Sequence, residues 1–206
     1  MLGFGLLLKN KRPLTSADFF RSRVPDRLWG VSVDKIPEGL PHRKKLADYL
    51  ANIADHVKTG TGLALSGPYG SGKSAGAALV ALEVLSYGGT ALYIEDKSLA
   101  DAILDGREYE EEVLFRERAE GVTVLVVDEL GLHYNETRAS VVESIIRDRI
   151  SRKRPTVVTT NLAEEVFVKK YQPLYEAMKD SFISVHCAGI DWRALRAGTR
   201  VPEEGA

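Results

Sequence analysis

The chain has 206 residues, a net charge of −1 and a single cysteine. This length predicts one domain, or one domain with appendages, and a substantial core. The balanced charge argues against a protein that is basic throughout. One cysteine excludes an internal disulfide and fits a reducing cytoplasm. The apolar start, LGFGLLL, is too short to span a bilayer, so we predict a cytoplasmic protein without a membrane partner.

We predict that residues 1–35 form a basic leader with one short helix near 17–23, available for binding a partner. A helix is predicted over 42–57, and strands alternate with helices from Gly62 onward. The predicted strands cover 62–66, 90–94, 122–127, 156–160 and 182–187. The predicted helices cover 73–86, 97–105, 137–152, 163–170, 173–180 and 191–197, with a charged segment through residue 120.

The predicted strands are continuous apolar runs, such as VTVLVV and PTVVTT. Such runs are typical of strands in a parallel sheet that helices cover on both faces. The predicted fold is therefore a three-layer α/β domain with a central parallel sheet over residues 36–200, followed by a tail at 201–206.

The segment LSGPYGSGKSAG, residues 65–76, has the full spacing of a phosphate-binding loop (Walker A) between a strand and a helix. Glycines let successive N–H groups point at one anion, and the helix N-terminus adds partial positive charge. Lys73 is predicted to reach the β- and γ-phosphates, and the Ser74 hydroxyl to ligate Mg²⁺. The alternative is an ordinary glycine turn. The predicted ATP-binding residues are Gly67, Pro68, Tyr69, Gly70, Ser71, Gly72, Lys73 and Ser74.

Polar side chains follow two of the predicted strands. VTVLVVDELG ends in Asp128 and Glu129 (Walker B), and VVTTN ends in Asn161. We predict that Asp128 holds Mg²⁺ through water and that Glu129 deprotonates a water attacking the γ-phosphate. Asn161 is predicted to hold the same water or a γ-phosphate oxygen. The alternatives are a pair of solvated acids and a turn-forming asparagine.

Three segments, GLALSGPYGSGKS, TVLVVDELG and RDRISRKRPTVVTTNL, resemble the bacterial helicase-loader AAA+ ATPases (DnaC- and DnaI-like) and the related IstB-like ATPases of transposition. The resemblance runs from about residue 24 to 196. It implies a P-loop AAA+ fold, with Asn161 as the first sensor. GIDWRAL resembles the C-terminal motif of the family, which implies that Arg193 contacts the nucleotide as a second sensor. The residues after Asn161 are too few for the full helical lid of AAA+ proteins, so a reduced or absent lid is predicted.

The chain departs from the family in two places. The leader is shorter than the N-terminal domain with which family members grip the replicative helicase. The arginine-containing motif of the family, just before the final strand, is replaced by YEAMKD, in which Lys179 is the nearest cation. The second departure predicts slow ATP hydrolysis in the isolated chain, stimulated by self-association or by a partner ATPase.

The resemblance implies ATP and Mg²⁺ as ligands, single-stranded DNA as a partner, and a replicative helicase or a transposase as the remodelled protein. The segment IEDKSLADAILDG lies where the family contacts single-stranded DNA. The candidate DNA-binding cations are Lys97, Arg107, Arg152, Lys153 and Arg154. For the last three, the alternative is stabilisation of a helix end in water. The alternatives to a helicase loader are an IstB-like transposition regulator and a nucleotide-gated adaptor that does not hydrolyse ATP.

Overall fold

Within the residues that the computed structural model describes, 10–36, 38, 40–104, 109–132 and 134–187, the chain forms a five-stranded parallel sheet. The strands are β1 (Gly62–Ser66), β2 (Ala91–Glu95), β3 (Val124–Asp128), β4 (Thr156–Thr160) and β5 (Phe182–His186). Their order across the sheet is β2-β3-β4-β1-β5. The sequence therefore predicted the sheet and its parallel direction correctly, and the bounds of β1 and β4 agree to the residue.

The helices are α1 (Ser16–Ser22), α2 (Pro41–Ala51), α3 (Ile53–Thr59), α4 (Lys73–Ser86), α5 (Asp96–Leu104), α6 (Tyr109–Gly121), α7 (Glu136–Ser151), α8 (Glu164–Lys170) and α9 (Gln172–Lys179). Short 3₁₀ turns cover Asp26–Leu28 and Val33–Lys35. The helix predicted at 191–197 lies outside the described residues. None of the helices described is long and apolar enough to cross a membrane.

Two predicted elements differ from the structure. The helix predicted over 42–57 is divided at Asn52, whose backbone (φ −106°, ψ 21°) ends α2 before α3 begins. The charged segment before residue 120 is the helix α6, which helical periodicity did not indicate because few of its residues are apolar. Ala119 of α6 is fully buried and Phe115 packs against the same core, so tertiary contacts support this helix.

The sheet is covered on both faces. Side chains alternate along β3, so that Val124 and Val126 join a core with α2, α3 and α4, whereas Leu125 and Val127 join a second core with α5 to α9. The fold is therefore the predicted three-layer α/β arrangement. Both cores hold the carboxyl ends of the strands in fixed positions.

Residues of the predicted leader pack on the first of these cores. Val24 and Leu28 are buried there, and the backbone N–H of Arg12 donates to Ser86 O at 2.8 Å. The helix α1 begins at a capping box in which Thr15 and Asp18 exchange hydrogen bonds. This packing places the 3₁₀ turn Asp26–Leu28 beside the start of α4.

Candidate functional site

The predicted phosphate-binding loop lies between β1 and α4, and both elements have their predicted bounds. Gly67, Gly70 and Gly72 all adopt positive φ angles, of 139°, 78° and 87°. Gly67 is also required sterically, because a Cβ there would lie 2.3 Å from the carbonyl oxygen of Cys187 at the end of β5. No side chain caps the N-terminus of α4, so its first N–H groups remain available to an anion.

The Lys73 ammonium lies within this loop. Its Nζ donates hydrogen bonds to the carbonyl oxygens of Gly67 (2.8 Å) and Pro68 (2.7 Å), and the residue is 7% exposed. Ser71 is also used inside the loop, where its hydroxyl donates to Pro68 O at 2.8 Å. The loop therefore holds a positive charge in a fixed and mostly buried position, as phosphate binding requires.

Asp128 ends β3 as a buried carboxylate, 2% exposed, that accepts hydrogen bonds from three hydroxyl groups. Ser74 Oγ donates to Oδ1 at 3.1 Å, Thr159 Oγ1 donates to the same oxygen, and the Tyr93 hydroxyl donates to Oδ2 at 2.5 Å. Burial, with the adjacent Asp128 carboxylate, raises the pKa of Tyr93. The phenol therefore remains protonated and donates its hydrogen bond at all ordinary pH values.

These groups have the donor chemistry that suits Mg²⁺. The cation prefers oxygen ligands and commonly retains several waters, and the Ser74 hydroxyl and the Asp128 carboxylate are hard oxygen donors 3.1 Å apart. A carboxylate as buried as Asp128 needs a positive partner or strong hydrogen bonds. The three hydroxyl groups fix its orientation in the way that outer-shell partners orient metal ligands.

Glu129 follows in a left-handed backbone conformation, with φ 60°, that is unfavourable for a residue other than glycine. Contacts with Thr159 of β4 maintain it. The Glu129 N–H donates to Thr159 Oγ1 at 2.9 Å, and the Leu130 N–H donates to Thr159 O at 2.8 Å. The Gly131 N–H donates to Asp96 Oδ2 at 2.8 Å. This turn directs the chain after β3 so that Glu129 lines the same cavity as Lys73.

A cavity of about 250 Å³ lies against the phosphate-binding loop. It is lined by Arg27, Leu28, Val31, Tyr69, Gly70, Gly72, Lys73, Ser74, Ala75, Glu129, Thr159 and Asn161. Of the predicted loop residues, Gly67, Pro68 and Ser71 do not line it. The cavity unites residues from β1–α4, β3 and β4 that lie far apart in the sequence.

Asn161 contributes a second polar group to this cavity. Its Oδ1 atom is buried and has no hydrogen-bond partner among the described residues. An unsatisfied buried polar atom costs on the order of 1–3 kcal/mol. A bound water that donates to Oδ1 would remove that cost, so the environment of Asn161 fits its predicted position beside the attacking water.

Sequence reasoning missed three residues of the site. Tyr93 lies in the buried and otherwise mostly aliphatic strand β2, where a polar side chain was the available signal, whereas Thr159 is one of three threonines in β4 and nothing in the sequence distinguishes it. Arg27 belongs to the predicted basic leader, residues 1–35, in which no motif distinguishes it from the other cations. Its position at the cavity depends on how residues 10–36 pack, which no local pattern indicates.

The candidate DNA-binding cations are not brought together. Lys97 follows β2 at the carboxyl edge of the sheet, whereas Arg152, Lys153 and Arg154 precede β4 at the amino edge. Arg152 pairs with Asp148 at 2.9 Å, and Arg154 Nη1 donates to Glu120 O. Arg107 and Arg193 lie outside the described residues.

Lys179 also lies at the amino edge of the sheet. It ends α9, just before Phe182, which pairs with Gly62 at the beginning of β1. Its Nζ is 2.8 Å from Glu176 Oε1 and lies over the ring of Tyr175. The cavity forms at the opposite edge, so Lys179 contacts no residue of the cavity in the same chain.

No protein-family model matches the chain, and no curated protein matches it. Solved structures do match. The DnaC helicase loader shares 16% identity with a TM-score of 0.70, covering 79% of this chain and 99% of that one. DnaI shares 20% identity with a TM-score of 0.68, covering 81% and 93%. The replication initiator DnaA, bound to AMPPCP and single-stranded DNA, shares 12% identity with a TM-score of 0.68, covering 88% and 58%.

These similarities establish the fold. The chain has the P-loop AAA+ fold, and its structural neighbours are helicase loaders and replication initiators. The resemblance of the three sequence segments to the helicase-loader AAA+ proteins is thus confirmed for the fold.

Proposed function

We propose that this chain binds and hydrolyses ATP as an AAA+ protein of the helicase-loader type. The observation that carries the proposal is the single cavity in which Lys73, Ser74, Glu129 and Asn161 meet beside the buried carboxylate of Asp128. The similarity to DnaC and DnaI supports the assignment to loaders. The binding of AMPPCP by DnaA supports a nucleoside triphosphate as the ligand.

In this proposal, the loop from Gly67 to Ser74 binds the phosphates. The N–H groups of the loop and of the α4 N-terminus are the neutral donors, and Lys73 provides the charged contact to the β- and γ-phosphates. Ser74 and Asp128 would hold Mg²⁺, the latter through water. When bound, Mg²⁺ neutralises charge on the phosphate oxygens.

Glu129 is the general base for hydrolysis in the proposal. A water in line with the γ-phosphate transfers a proton to the Glu129 carboxylate as its oxygen bonds to phosphorus, and the bond to the ADP oxygen breaks. Asn161 orients this water or a γ-phosphate oxygen through its carboxamide. Thr159 positions the base, because its hydroxyl and carbonyl hold the turn containing Glu129.

The biological role that we propose is the remodelling of a DNA-bound protein assembly during replication, in the cytoplasm. Self-association or a partner ATPase completes the site, since Lys179 lies at the opposite edge of the sheet from the cavity of its own chain. Single-stranded DNA is bound through phosphate contacts by Lys97, Arg107 and the cluster Arg152–Arg154 in the assembled state. The single-stranded DNA in the DnaA structure supports this ligand class.

Calorimetric titration with ATP and Mg²⁺ tests the nucleotide site. Lys73→Ala removes a charge-assisted hydrogen bond worth about 1.5–3 kcal/mol, so we expect at least a tenfold loss of affinity. Lys58→Ala is the control, because Lys58 is an exposed lysine of α3 outside the cavity. Equal affinities for the wild type and Lys73→Ala would contradict the assignment of the site.

Co-purification from the native host separates the roles that nucleotide binding leaves open. Recovery of a replicative helicase supports the loader, and recovery of a transposase supports a transposition regulator. ATP binding without turnover, even with single-stranded DNA and the recovered partner added, would instead identify a nucleotide-gated adaptor. The same titration with single-stranded DNA is expected to show weak, ATP-dependent and salt-sensitive binding that Lys73→Ala loses.

A further inference from the structure

Arg27 brings a second cation to the nucleotide cavity. The charged residues of the cavity lining are Arg27, Lys73 and Glu129. Lys73 belongs to the phosphate-binding loop, whereas Arg27 comes from the N-terminal segment, about forty residues earlier. Neither the nucleotide-binding motif nor the proposed hydrolysis assigns a role to this arginine.

The turn that carries Arg27 is firmly attached to the domain. Leu28, the next residue, is buried at 9% exposure, and its N–H donates to Pro25 O at 2.8 Å. Trp29 Nε1 donates to Val24 O at 2.7 Å, and the Trp29 ring stacks on Phe19 with 4.5 Å between centroids. The backbone N–H of Arg27 itself donates to Asp26 Oδ1 at 2.7 Å. The Arg27 side chain therefore starts from a fixed position at the cavity wall.

The guanidinium of Arg27 is available to a ligand. Among the residues that the structure describes, none forms an ion pair with it, although Arg12, Arg43, Arg138 and Arg152 each have an acidic partner. The Arg27 residue is exposed to solvent at the cavity rather than packed into the core. The lining therefore carries two cations, Arg27 and Lys73, and one anion, Glu129.

Arg27 shares the cavity lining with Ser74, Glu129 and Asn161. Ser74 donates a hydrogen bond to the Asp128 carboxylate. In the proposed function, Ser74 holds the metal ion, and Glu129 and Asn161 act at the terminal phosphate.

We propose that Arg27 binds the terminal phosphate of ATP within the same chain. The inference rests on the proposed function, since it assumes a nucleoside triphosphate in this cavity. A planar guanidinium suits phosphate oxygens because it can donate two parallel hydrogen bonds. The chain would then supply from its N-terminal segment a cation that senses whether the γ-phosphate is present.

The test compares ATP with ADP in calorimetric titrations of Arg27→Ala. We expect the dissociation constant for ATP with Mg²⁺ to rise at least tenfold, while that for ADP changes less than twofold. Arg27→Lys retains the charge without the planar fork of the guanidinium. Its affinity for ATP should therefore lie between that of the wild type and that of Arg27→Ala. Arg21→Ala is the control, because Arg21 is an exposed arginine of α1 that does not line the cavity.

An equal loss for ATP and ADP would overturn the inference, since it would indicate a base, ribose or α/β-phosphate contact. Unchanged ATP affinity would overturn it as well. Urea unfolding of each variant shows whether the fold is intact. If Arg27→Ala lowers the urea midpoint together with the affinities for ATP and for ADP, Arg27 has a structural role instead. If Lys73→Ala loses ATP and Arg27→Ala does not, only this inference fails. If wild type does not bind ATP, the proposed function fails with it.

Discussion

The hydroxyl of Tyr93 donates a hydrogen bond of 2.5 Å to Oδ2 of Asp128, which joins β2 to the acidic end of β3. Both residues are buried, at 3% and 2% exposure. The bond therefore orients the carboxylate proposed to hold Mg²⁺, through a residue that itself does not line the cavity.

Replacing Tyr93 with phenylalanine should destabilise the domain. It removes a hydrogen bond to a buried charged group, so we expect the free energy of unfolding to fall by about 1.5–3 kcal/mol in urea. Tyr175→Phe is the control. The Tyr175 hydroxyl bonds Glu164 at 2.6 Å on the exposed surface, and its loss should cost less than about 1 kcal/mol. Equal effects of the two changes would contradict the role given to Tyr93.

Arg149 should contribute far more to stability than Arg152, which belongs to the same basic segment RDRISRKR, residues 147–154. Arg149 is fully buried, and its guanidinium donates to the backbone carbonyls of Ala119, Val122 and Pro155 at 2.7–3.0 Å. Arg149→Met leaves several buried carbonyls without donors, so we expect a loss of at least about 3 kcal/mol. Arg152→Ala should cost less than about 1 kcal/mol, since its ion pair with Asp148 is exposed.

Urea unfolding of both variants measures this difference. A small loss for Arg149→Met, comparable to that for Arg152→Ala, would show that water replaces the guanidinium at these carbonyl groups.

We predict that His42 makes the free energy of unfolding decrease as the pH falls below about 7. It is 4% exposed, and burial, aided by the charge of His186, lowers its pKa. Below the ordinary histidine pKa of about 6.5, the unfolded chain binds a proton that folded His42 does not. The free energy of unfolding should therefore decrease as the pH falls from about 7.5 to about 5.5.

His42→Gln should reduce that decrease without removing it, because burial also lowers the pKa of His56. Unfolding curves at several pH values provide the measurement. A wild-type stability that is constant or increases over this range would contradict the prediction.

Hydrolysis should depend on protein concentration. The cavity lies at the carboxyl edge of the sheet and Lys179 at the amino edge, so a neighbouring subunit is needed if Lys179 is to approach the γ-phosphate. We expect very slow turnover in dilute solution and a steep rise in specific activity with concentration or with an added partner. An arginine supplied by a neighbour is worth roughly 10³–10⁵ in rate in related systems.

Lys179→Ala tests whether Lys179 is responsible for the rise in specific ATPase activity with protein concentration. Loss of the rise would assign the role to Lys179, although a lysine lacks the planar fork of arginine. Lys169→Ala is the control from the neighbouring helix α8. High specific activity that stays constant over a wide dilution series would contradict a site completed by a neighbour.

The predicted site residues that the structure places at one edge of the sheet are those with local signals. The phosphate-binding loop, Asp128, Glu129 and Asn161 each follow an apolar strand, and parallel strands bring their carboxyl ends to one edge. Arg27, Tyr93 and Thr159 reach the site through tertiary packing or through the neighbouring strand in the sheet. The strand order, with β4 between β1 and β3, could not be read from a linear pattern.

The same reasoning explains the elements that were missed or misplaced. Helical periodicity fails for α6 because most of its residues are charged, and its burial depends on contacts with α5 and α7. Asn52 interrupts an otherwise continuous helical pattern between α2 and α3. The cluster Arg152–Arg154 looks uniform in sequence, yet Arg154 contacts Glu120 O and Lys153 has φ 51°, so each residue has a different local role.

The measurement that tests the central claim most directly is ATP turnover by Glu129→Gln, read beside its ATP affinity. The amide retains the shape of the side chain but is unable to accept the proton of the attacking water. We predict ATP binding within about threefold of wild type and turnover reduced by roughly 10²-fold or more. Turnover equal to that of wild type would show that Glu129 is not the general base, and would contradict the hydrolytic site proposed for this cavity.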